Sequence, residues 1–249
     1  FVVGVAIPLS LDRAVAKFGK ATTVRRVLIR GALMYLLGVL YYGGIADGVE
    51  HIRLLGVLQR LAICYVAASA CRLWLGVRTT GAVAAGLLGL YWVLLNFVPV
   101  PGFGAGDFAR GHNLANWIDA QCLPLKIWYG DYDPEGIIST LPAIASCLVG
   151  LLAGRLLTEQ RLSPLRKVGI LLVAGVVMIG AGHLWGLQFP VIKRIWTSSF
   201  VLVAGGWSAV LLATFYFLIE IRGWRGWAQP LVWIGTNALT IYFVSRLVD

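Results

Sequence analysis

TSSFVLVAGGWSAVLLATFYFLI, residues 197–219, runs for 23 positions without a single charged side chain. A helix needs about 20 apolar residues to cross the ~30 Å hydrocarbon core of a bilayer, so this stretch predicts a membrane span. The rest of the chain agrees, because 59% of its residues are hydrophobic and only 13% are charged, far from the averages of soluble domains. The sequence therefore predicts an integral membrane protein.

Six further stretches are comparably apolar, and we expect an all-α, polytopic membrane helix bundle. The seven candidate spans lie near residues 28–43, 54–75, 80–98, 137–154, 168–189, 197–219 and 229–248. The chain also opens inside an apolar run, FVVGVAIPLSL, which we interpret as a truncated N-terminal span. We therefore expect residues 1–249 to form one transmembrane domain and to be a fragment, truncated at both ends.

Positive charge alternates from loop to loop. Lys and Arg concentrate in loops that stay cytoplasmic. The loops after the first, third, fifth and seventh spans, counting the truncated one, contain fourteen of them when Arg30 and Arg72 at the adjoining span ends are included. The intervening loops contain five, together with seven acidic residues. We assign the acidic loops, including a long one over residues 99–136, to the extracytoplasmic side. The net charge of +10 is explained by this topology and by anionic lipid, and we expect no nucleic-acid partner.

The long loop and the glycines add local detail. HNLANWIDAQCL, residues 112–123, places its apolar residues at helical spacing and predicts a short helix. The pairs Gly150/Gly154 and Gly182/Gly186 indicate close packing between spans. The four cysteines have neither a disulfide framework nor metal-ligand spacing, so we expect no metal.

WYGDYDPEGIISTLP, residues 128–142, places three carboxylates, Asp131, Asp133 and Glu135, directly before a candidate span. In one interpretation Asp133 caps the helix and Glu135 favours the positive end of its dipole. In the other, the acids bind a cationic or hydroxyl-rich substrate and accept a proton from it. Capping and catalysis are compatible, and both interpretations stay open.

Other polar residues fall at a similar depth in the outward half of the predicted bundle. They are Gln59, Arg60, His183, Lys193, Trp196 and Ser198, with Asn237 buried near mid-membrane. A charged residue inside a span costs roughly 2.5–3.5 kcal/mol and normally faces a cavity or a partner. Structural alternatives are snorkelling for Arg60, a helix-to-helix hydrogen bond for His183 and interfacial anchoring for Lys193 and Trp196. Together these residues favour a polar cavity that opens outward.

Four segments, in this order and spacing, resemble the multispan acyltransferase family of lysosomal heparan-α-glucosaminide N-acetyltransferase and its bacterial relatives. They are LLGVLQRLAICY, WYGDYDPEGIISTLPAI, FPVIKRIWTSSFVL and WIGTNALTIY. The resemblance implies acetyl transfer from cytoplasmic acetyl-CoA to an amino sugar beyond the membrane, here a bacterial inner membrane. Two departures limit it: the family's outward histidine precedes the span that begins here at Phe1, and Ile192 stands where such proteins usually carry Asn.

The chemistry implied by the resemblance assigns roles to the polar residues. The amine of an amino sugar is mostly protonated near neutral pH, so a carboxylate or imidazole must accept a proton before the nitrogen attacks. Negative charge on the acyl oxygen and on the donor's phosphates calls for cations or hydrogen-bond donors, and an aromatic ring could stack on a sugar or adenine. The expected site residues are Asp133, Glu135 and His183 for catalysis, and Gln59, Arg60, Lys193, Trp196, Ser198 and Asn237 for binding.

A permease or flippase for an amino sugar or lipid-linked glycan is the alternative function. Transport favours duplicated halves with broken spans at matching positions. Pro142 could break one span, but the sequence shows no matching interruption elsewhere. In either case the expected partners are the lipid bilayer and a sugar or glycan, and a homo-oligomer stays open.

Overall fold

The computed structural model describes residues 1–42, 48, 52–130 and 132–248. Within these ranges the chain is helical, and the one β-type pairing is an isolated bridge between Val100 and Gly104. The all-α prediction is confirmed for this part of the chain. Its helices are α1 (Val2–Phe18), α2 (Lys20–Tyr41), α3 (Val57–Trp74), α4 (Val77–Phe97), α5 (Leu114–Cys122), α6 (Thr140–Thr158), α7 (Pro164–Gly186), α8 (Ser198–Tyr216), α9 (Gln229–Thr236) and α10 (Ala238–Val248). A π-helical turn, Phe217–Ile221, extends α8, and a 3₁₀ turn, Gly226–Ala228, precedes α9.

Four of the described helices are long and apolar enough to cross a membrane. They are Val77–Phe97, Thr140–Thr158, Pro164–Gly186 and Ser198–Ile221. These helices support an integral membrane protein, but the count of seven spans is not confirmed. Helices α2 and α3 occupy predicted spans yet contain several arginines, and the last predicted span is divided into α9 and α10 at Asn237.

Helix α6 is the central helix, and it packs against α1, α3, α4 and α8. Its residues Gly150 and Gly154 let the backbone of α1 approach closely, because a methyl group at either position would overlap backbone atoms of Phe1 or Val5. This confirms the close packing predicted for the first glycine pair. Pro142 lies in the first turn of α6, where proline is tolerated, and the helix continues to Thr158.

The second glycine pair behaves differently. Gly182 faces α8 so closely that a methyl group there would meet the backbone of Val203. Gly186, at the end of α7, is instead near the side chain of Val191 in the following loop. The prediction of close packing between helices is therefore confirmed for Gly182 and wrong for Gly186.

The long loop between α4 and α6 contains the predicted short helix, α5. Asn113 begins this helix, because its side-chain oxygen accepts the backbone N–H of Asn116 at 3.0 Å. Buried apolar residues of α4, α5 and the loop after α7, among them Tyr91 and Phe189, form a cluster at this end of the bundle. The acidic segment that precedes α6 lies in the same region, with α3 and α5 beside it.

Candidate active site

A buried arginine holds the acidic turn, which we define as residues 133–139. Arg53 donates from Nε to Asp133 Oδ2 at 2.9 Å and from Nη2 to Asp133 Oδ1 at 2.5 Å, the paired geometry in which guanidinium binds carboxylate most strongly. Its Nη2 also donates to Glu135 Oε2 at 2.6 Å. Arg53 is 2% exposed and Asp133 is 3% exposed. In the sequence Arg53 is one of five cations in the intervening loops, and no spacing links it to Asp133.

Asp133 folds the acidic turn and does not cap helix α6. Its Oδ1 accepts the N–H of Glu135 at 3.0 Å, and its Oδ2 accepts the N–H of Trp128 at 3.3 Å. Helix α6 begins at Thr140, with Ser139 in the N-cap position. The capping interpretation of Asp133 is therefore wrong. Because its carboxylate is saturated by Arg53 and two backbone donors, Asp133 is better suited to anchoring than to accepting a proton.

Glu135 is the more accessible acid of the turn. Its side chain is 17% exposed and has one described partner, Arg53. Burial raises the pKa of Glu135 above its ordinary value, although the positive charges of Arg53 and Arg60 act in the opposite direction. A general base works best when its pKa lies near the working pH, so Glu135 fits that role better than Asp133.

Arg60 reaches the acidic turn from helix α3. Its Nη2 donates to the hydroxyl of Ser139, and its guanidinium lies over the indole of Trp196, 5.2 Å from the ring centroid. Arg60 is 5% exposed, and its Nε and Nη1 have no hydrogen-bond partner among the described residues. Buried N–H groups are almost always paired, so these two donors suit the carbonyl or anionic group of a ligand.

The loop before α8 is shaped to present Trp196. This residue has a φ of 56°, in the left-handed region that costs a non-glycine residue roughly 1–3 kcal/mol. Its indole Nε1 donates to the hydroxyl of Ser146 in α6 at 3.2 Å. Behind it, the hydroxyl of Thr197 donates to the carbonyl of Pro190 at 2.8 Å. The strained backbone thus fixes the indole between α6 and Arg60.

A third carboxylate, Asp119 of α5, lies behind the acidic turn. It is 1% exposed, and its Oδ1 accepts the N–H of Ile137 at 2.8 Å. Burial raises the pKa of Asp119 to about 6; the bond from Ile137 lowers it, and the charge of Asp133 raises it further. The sequence does not single out Asp119, because a single acid in a polar loop has no spacing that marks it as buried.

Five of the nine predicted site residues meet in this region: Gln59, Arg60, Asp133, Glu135 and Trp196. Gln59 is fully buried, and its Nε2 donates to the carbonyl of Arg53 at 3.1 Å, so it supports the loop that carries the arginine. Ser198 is also fully buried, but its hydroxyl donates to the carbonyl of Leu88 at 2.8 Å and joins α8 to α4.

The other three predicted site residues, His183, Lys193 and Asn237, are exposed. Asn237 lies at the break between α9 and α10, where its Nδ2 donates to the carbonyl of Trp233 at 2.9 Å. The described residues leave its side chain uncovered, and its depth near mid-membrane stays a prediction. Asp131, the first acid of the segment, lies outside the described residues. Within the part of the chain that the structure describes, no group of three or more His, Cys, Asp or Glu side chains could hold a metal ion.

The fold and the site together define a helical integral membrane protein with a buried cluster of arginines and carboxylates at one end of its bundle. Two curated proteins match it, the heparan-alpha-glucosaminide N-acetyltransferases of Homo sapiens and Mus musculus, each 24% identical. The alignments cover 97% and 100% of this chain but 45% and 46% of the relatives, so the chain spans about half their length. The matches support a distant relationship to that acetyltransferase family. No protein-family profile matches the chain.

Proposed function

We propose that this bundle belongs to a membrane acyltransferase that moves an acetyl group from cytoplasmic acetyl-CoA to the amine of a glucosamine-type sugar on the other side of the membrane. The distant relatives are named as N-acetyltransferases of a glucosaminide, which supports the reaction class. Location in a bacterial inner membrane is part of the same proposal.

The charge balance of the candidate site carries the proposal. Three carboxylates, those of Asp119, Asp133 and Glu135, surround two guanidinium groups, those of Arg53 and Arg60. When all five groups are ionised, the site has one excess negative charge in a poorly solvated place, which is unfavourable. A protonated amine would supply the missing positive charge. The site therefore suits a cationic acceptor.

The same residues supply what acetyl transfer to an amine requires. Glu135 accepts the proton of the bound ammonium group, which frees the nitrogen lone pair. The nitrogen then forms a bond to the thioester carbonyl, and the unpaired N–H groups of Arg60 stabilise the charge on its oxygen. When the carbon–sulfur bond breaks, the CoA thiolate leaves, and the amide nitrogen loses its second proton. The net products are an acetamide, the CoA thiol and one released proton.

A second feature of the bundle, an apolar groove, suits the donor. It has a volume of about 510 Å³, lies between α1, α2 and α3, and is lined by apolar side chains with Arg30 at one end. An adjoining cavity of about 290 Å³ adds Arg26. Helix α2 rises roughly 16 Å from Arg26 to Leu37, and the next residue, Gly38, packs against Gln59. The groove therefore extends along α2 from the two arginines towards Gln59 of the candidate site.

This geometry revises the roles proposed for the donor's phosphates. The charge pattern predicts that Arg60 and Lys193 lie in the outward half of the bundle, whereas Arg26 lies in the second turn of α2, near its predicted cytoplasmic end. We therefore place the phosphates of CoA near Arg26 and Arg30. Its apolar arm would follow the groove, so that the acyl group approaches Arg60.

Purified full-length protein, incubated with labelled acetyl-CoA and glucosamine, tests the proposal. We expect labelled N-acetylglucosamine, at a rate that depends on both substrates. The absence of any labelled amide, with correctly folded protein, would contradict an acyltransferase.

A permease remains the second candidate, since the break between α9 and α10 at Asn237 is the kind of discontinuous helix that transporters use. In sealed vesicles it would accumulate labelled glucosamine without acetyl-CoA. An acyltransferase would leave free glucosamine unmoved and convert it only when the donor is added.

A further inference from the structure

Asp119 occupies an unusual place behind the acidic turn. One of its carboxylate oxygens, Oδ1, binds the N–H of Ile137, two residues after Glu135. The other, Oδ2, is buried and has no hydrogen-bond partner among the described residues. It faces Gly136 so closely that a methyl group on that residue would overlap it. A carboxylate therefore fills the space behind the turn and binds it at one backbone position.

We propose that Asp119 is a positioning residue that holds the acidic turn, and with it Glu135, in the place where Glu135 can accept the proton of the bound amine. This inference rests on the proposed function, because it assigns Glu135 the role of proton acceptor. Arg53 holds the turn through the side chains of Asp133 and Glu135, and Arg60 holds it through Ser139. Asp119 supplies the remaining support from α5.

Two features separate this role from ordinary loop packing. The bond from the N–H of Ile137 needs an acceptor at position 119 but no negative charge, so an amide oxygen could replace the carboxylate there. The fit between Oδ2 and Gly136 is mutual, so a larger residue at 136 is tolerated only when the carboxylate is gone. The two sites must therefore behave as a coupled pair in a double-mutant cycle.

Protonation provides a further signature. Asp119 interacts electrostatically with three charged or titratable groups, which are Asp133 of the turn, Arg60 of α3 and Tyr91 of α4. Burial raises the pKa of Asp119 to about 6, so the proton is bound more tightly in the folded protein than in the unfolded chain. Its contribution to stability is present at acidic pH and is lost as the pH rises through about 6. Asp119→Asn should therefore gain stability relative to the parent between pH 5 and pH 7.5.

The experiment uses full-length protein with Asp119→Asn, Asp119→Ala, Gly136→Ala and the double variant Asp119→Ala/Gly136→Ala. Displacing a catalytic group by about 1 Å can cost about 10²-fold in rate. We expect losses of that order in kcat for Asp119→Ala and for Gly136→Ala, with the KM for acetyl-CoA unchanged. Asp119→Asn should keep kcat within a few-fold of the parent but raise the KM for glucosamine, because the amide removes one of the negative charges that attract the ammonium group. The double variant should be no slower in kcat than the slower single variant.

A parental rate in Asp119→Ala, or a double variant that shows the product of both single losses, would overturn the inference. If the parent acetylates no amine, the proposed function fails, and hydrogen exchange of the segment 133–140 decides the role of Asp119 separately. Exchange should then be faster in Asp119→Ala and near parental in Asp119→Asn. Unchanged exchange in Asp119→Ala would refute the positioning role by itself.

Discussion

Asp133→Asn and Glu135→Gln each remove one negative charge from the same turn, two positions apart, yet the structure predicts opposite main effects. Asp133 forms the paired bonds to Arg53 and also accepts two backbone N–H groups, so its loss should mainly weaken the fold. Glu135 has a single described bond to the same guanidinium and is partly exposed, so its loss should mainly weaken the chemistry.

The magnitudes follow from what each change leaves behind. Removing one partner of a buried ion pair typically destabilises a protein by about 3–5 kcal/mol, because the other charge stays buried and unpaired. Arg53 keeps Glu135 in Asp133→Asn, so we expect the lower end, about 3 kcal/mol. In Glu135→Gln the guanidinium keeps Asp133, and the lost charge-assisted bond should cost about 1–2 kcal/mol or less. The transfer rate should nevertheless fall by roughly 10²-fold or more, the usual scale of general-base catalysis.

The pH dependence gives a second test of Glu135. Only its ionised form can accept a proton, and burial raises its pKa above the ordinary value. The parental rate should therefore rise with pH through that raised pKa. In Glu135→Gln this rise should disappear, since no carboxylate remains to titrate at that position.

Purified variants are compared by denaturant unfolding in detergent and by initial rates of acetyl transfer. Asp107→Asn is the matched control, because Asp107 is a partly exposed acid of the same long loop that pairs with His112 away from Arg53. It should leave both measurements near parental values. A parental rate in Glu135→Gln, or parental stability in Asp133→Asn, would refute the division of roles between the two acids.

Three further predictions concern the guanidinium of Arg60, the binding of acetyl-CoA near Arg30 and the orientation of the bundle in the membrane. Arg60→Lys keeps the charge but loses the planar set of N–H donors, so it should slow acetyl transfer without impairing folding. Arg60→Leu should be slower still, and parental rates in both variants would make Arg60 a structural residue. Arg30→Ala should raise the KM for acetyl-CoA several-fold without changing the KM for glucosamine. Arg78 is an exposed cation outside the groove, so the control variant Arg78→Ala should change neither KM. Because Lys and Arg concentrate in cytoplasmic loops, a cysteine placed near Arg161 should be labelled only from the cytoplasm and one near Asp107 only from outside. The reverse labelling pattern would overturn the predicted orientation.

Local patterns in the sequence predicted much of the fold. Helix α5 followed from its helical spacing, and the contact of Gly150 and Gly154 with α1 followed from the small-residue motif. Both depend on residues within a few positions of one another. The start of α6 was placed too early, because Asp133 and Pro134 form a good capping signal that the chain uses instead to fold a turn.

The site was predictable only in part, because its main contacts join distant segments. The sequence marked Asp133 and Glu135 as an acidic cluster but could not show that Arg53, 80 residues before Asp133, is their partner. The sequence also did not predict that the side chain of Asn237 is exposed. Its apolar neighbours predict an intact span, but the helix breaks at this residue. Pairing and burial of single polar residues arise from tertiary packing. The local spacing of residues in one sequence does not reveal these contacts.

The most direct test of the central claim reconstitutes full-length protein in sealed vesicles, with labelled acetyl-CoA on the side of the basic loops and glucosamine only on the other side. The proposed reaction predicts labelled N-acetylglucosamine on the glucosamine side alone, with free CoA remaining on the donor side. Glu135→Gln vesicles should form about 10²-fold less product at equal protein content. Transfer of glucosamine to the donor side before acetylation, or equal product from Glu135→Gln, would contradict an acetyl transfer that crosses the membrane through this site.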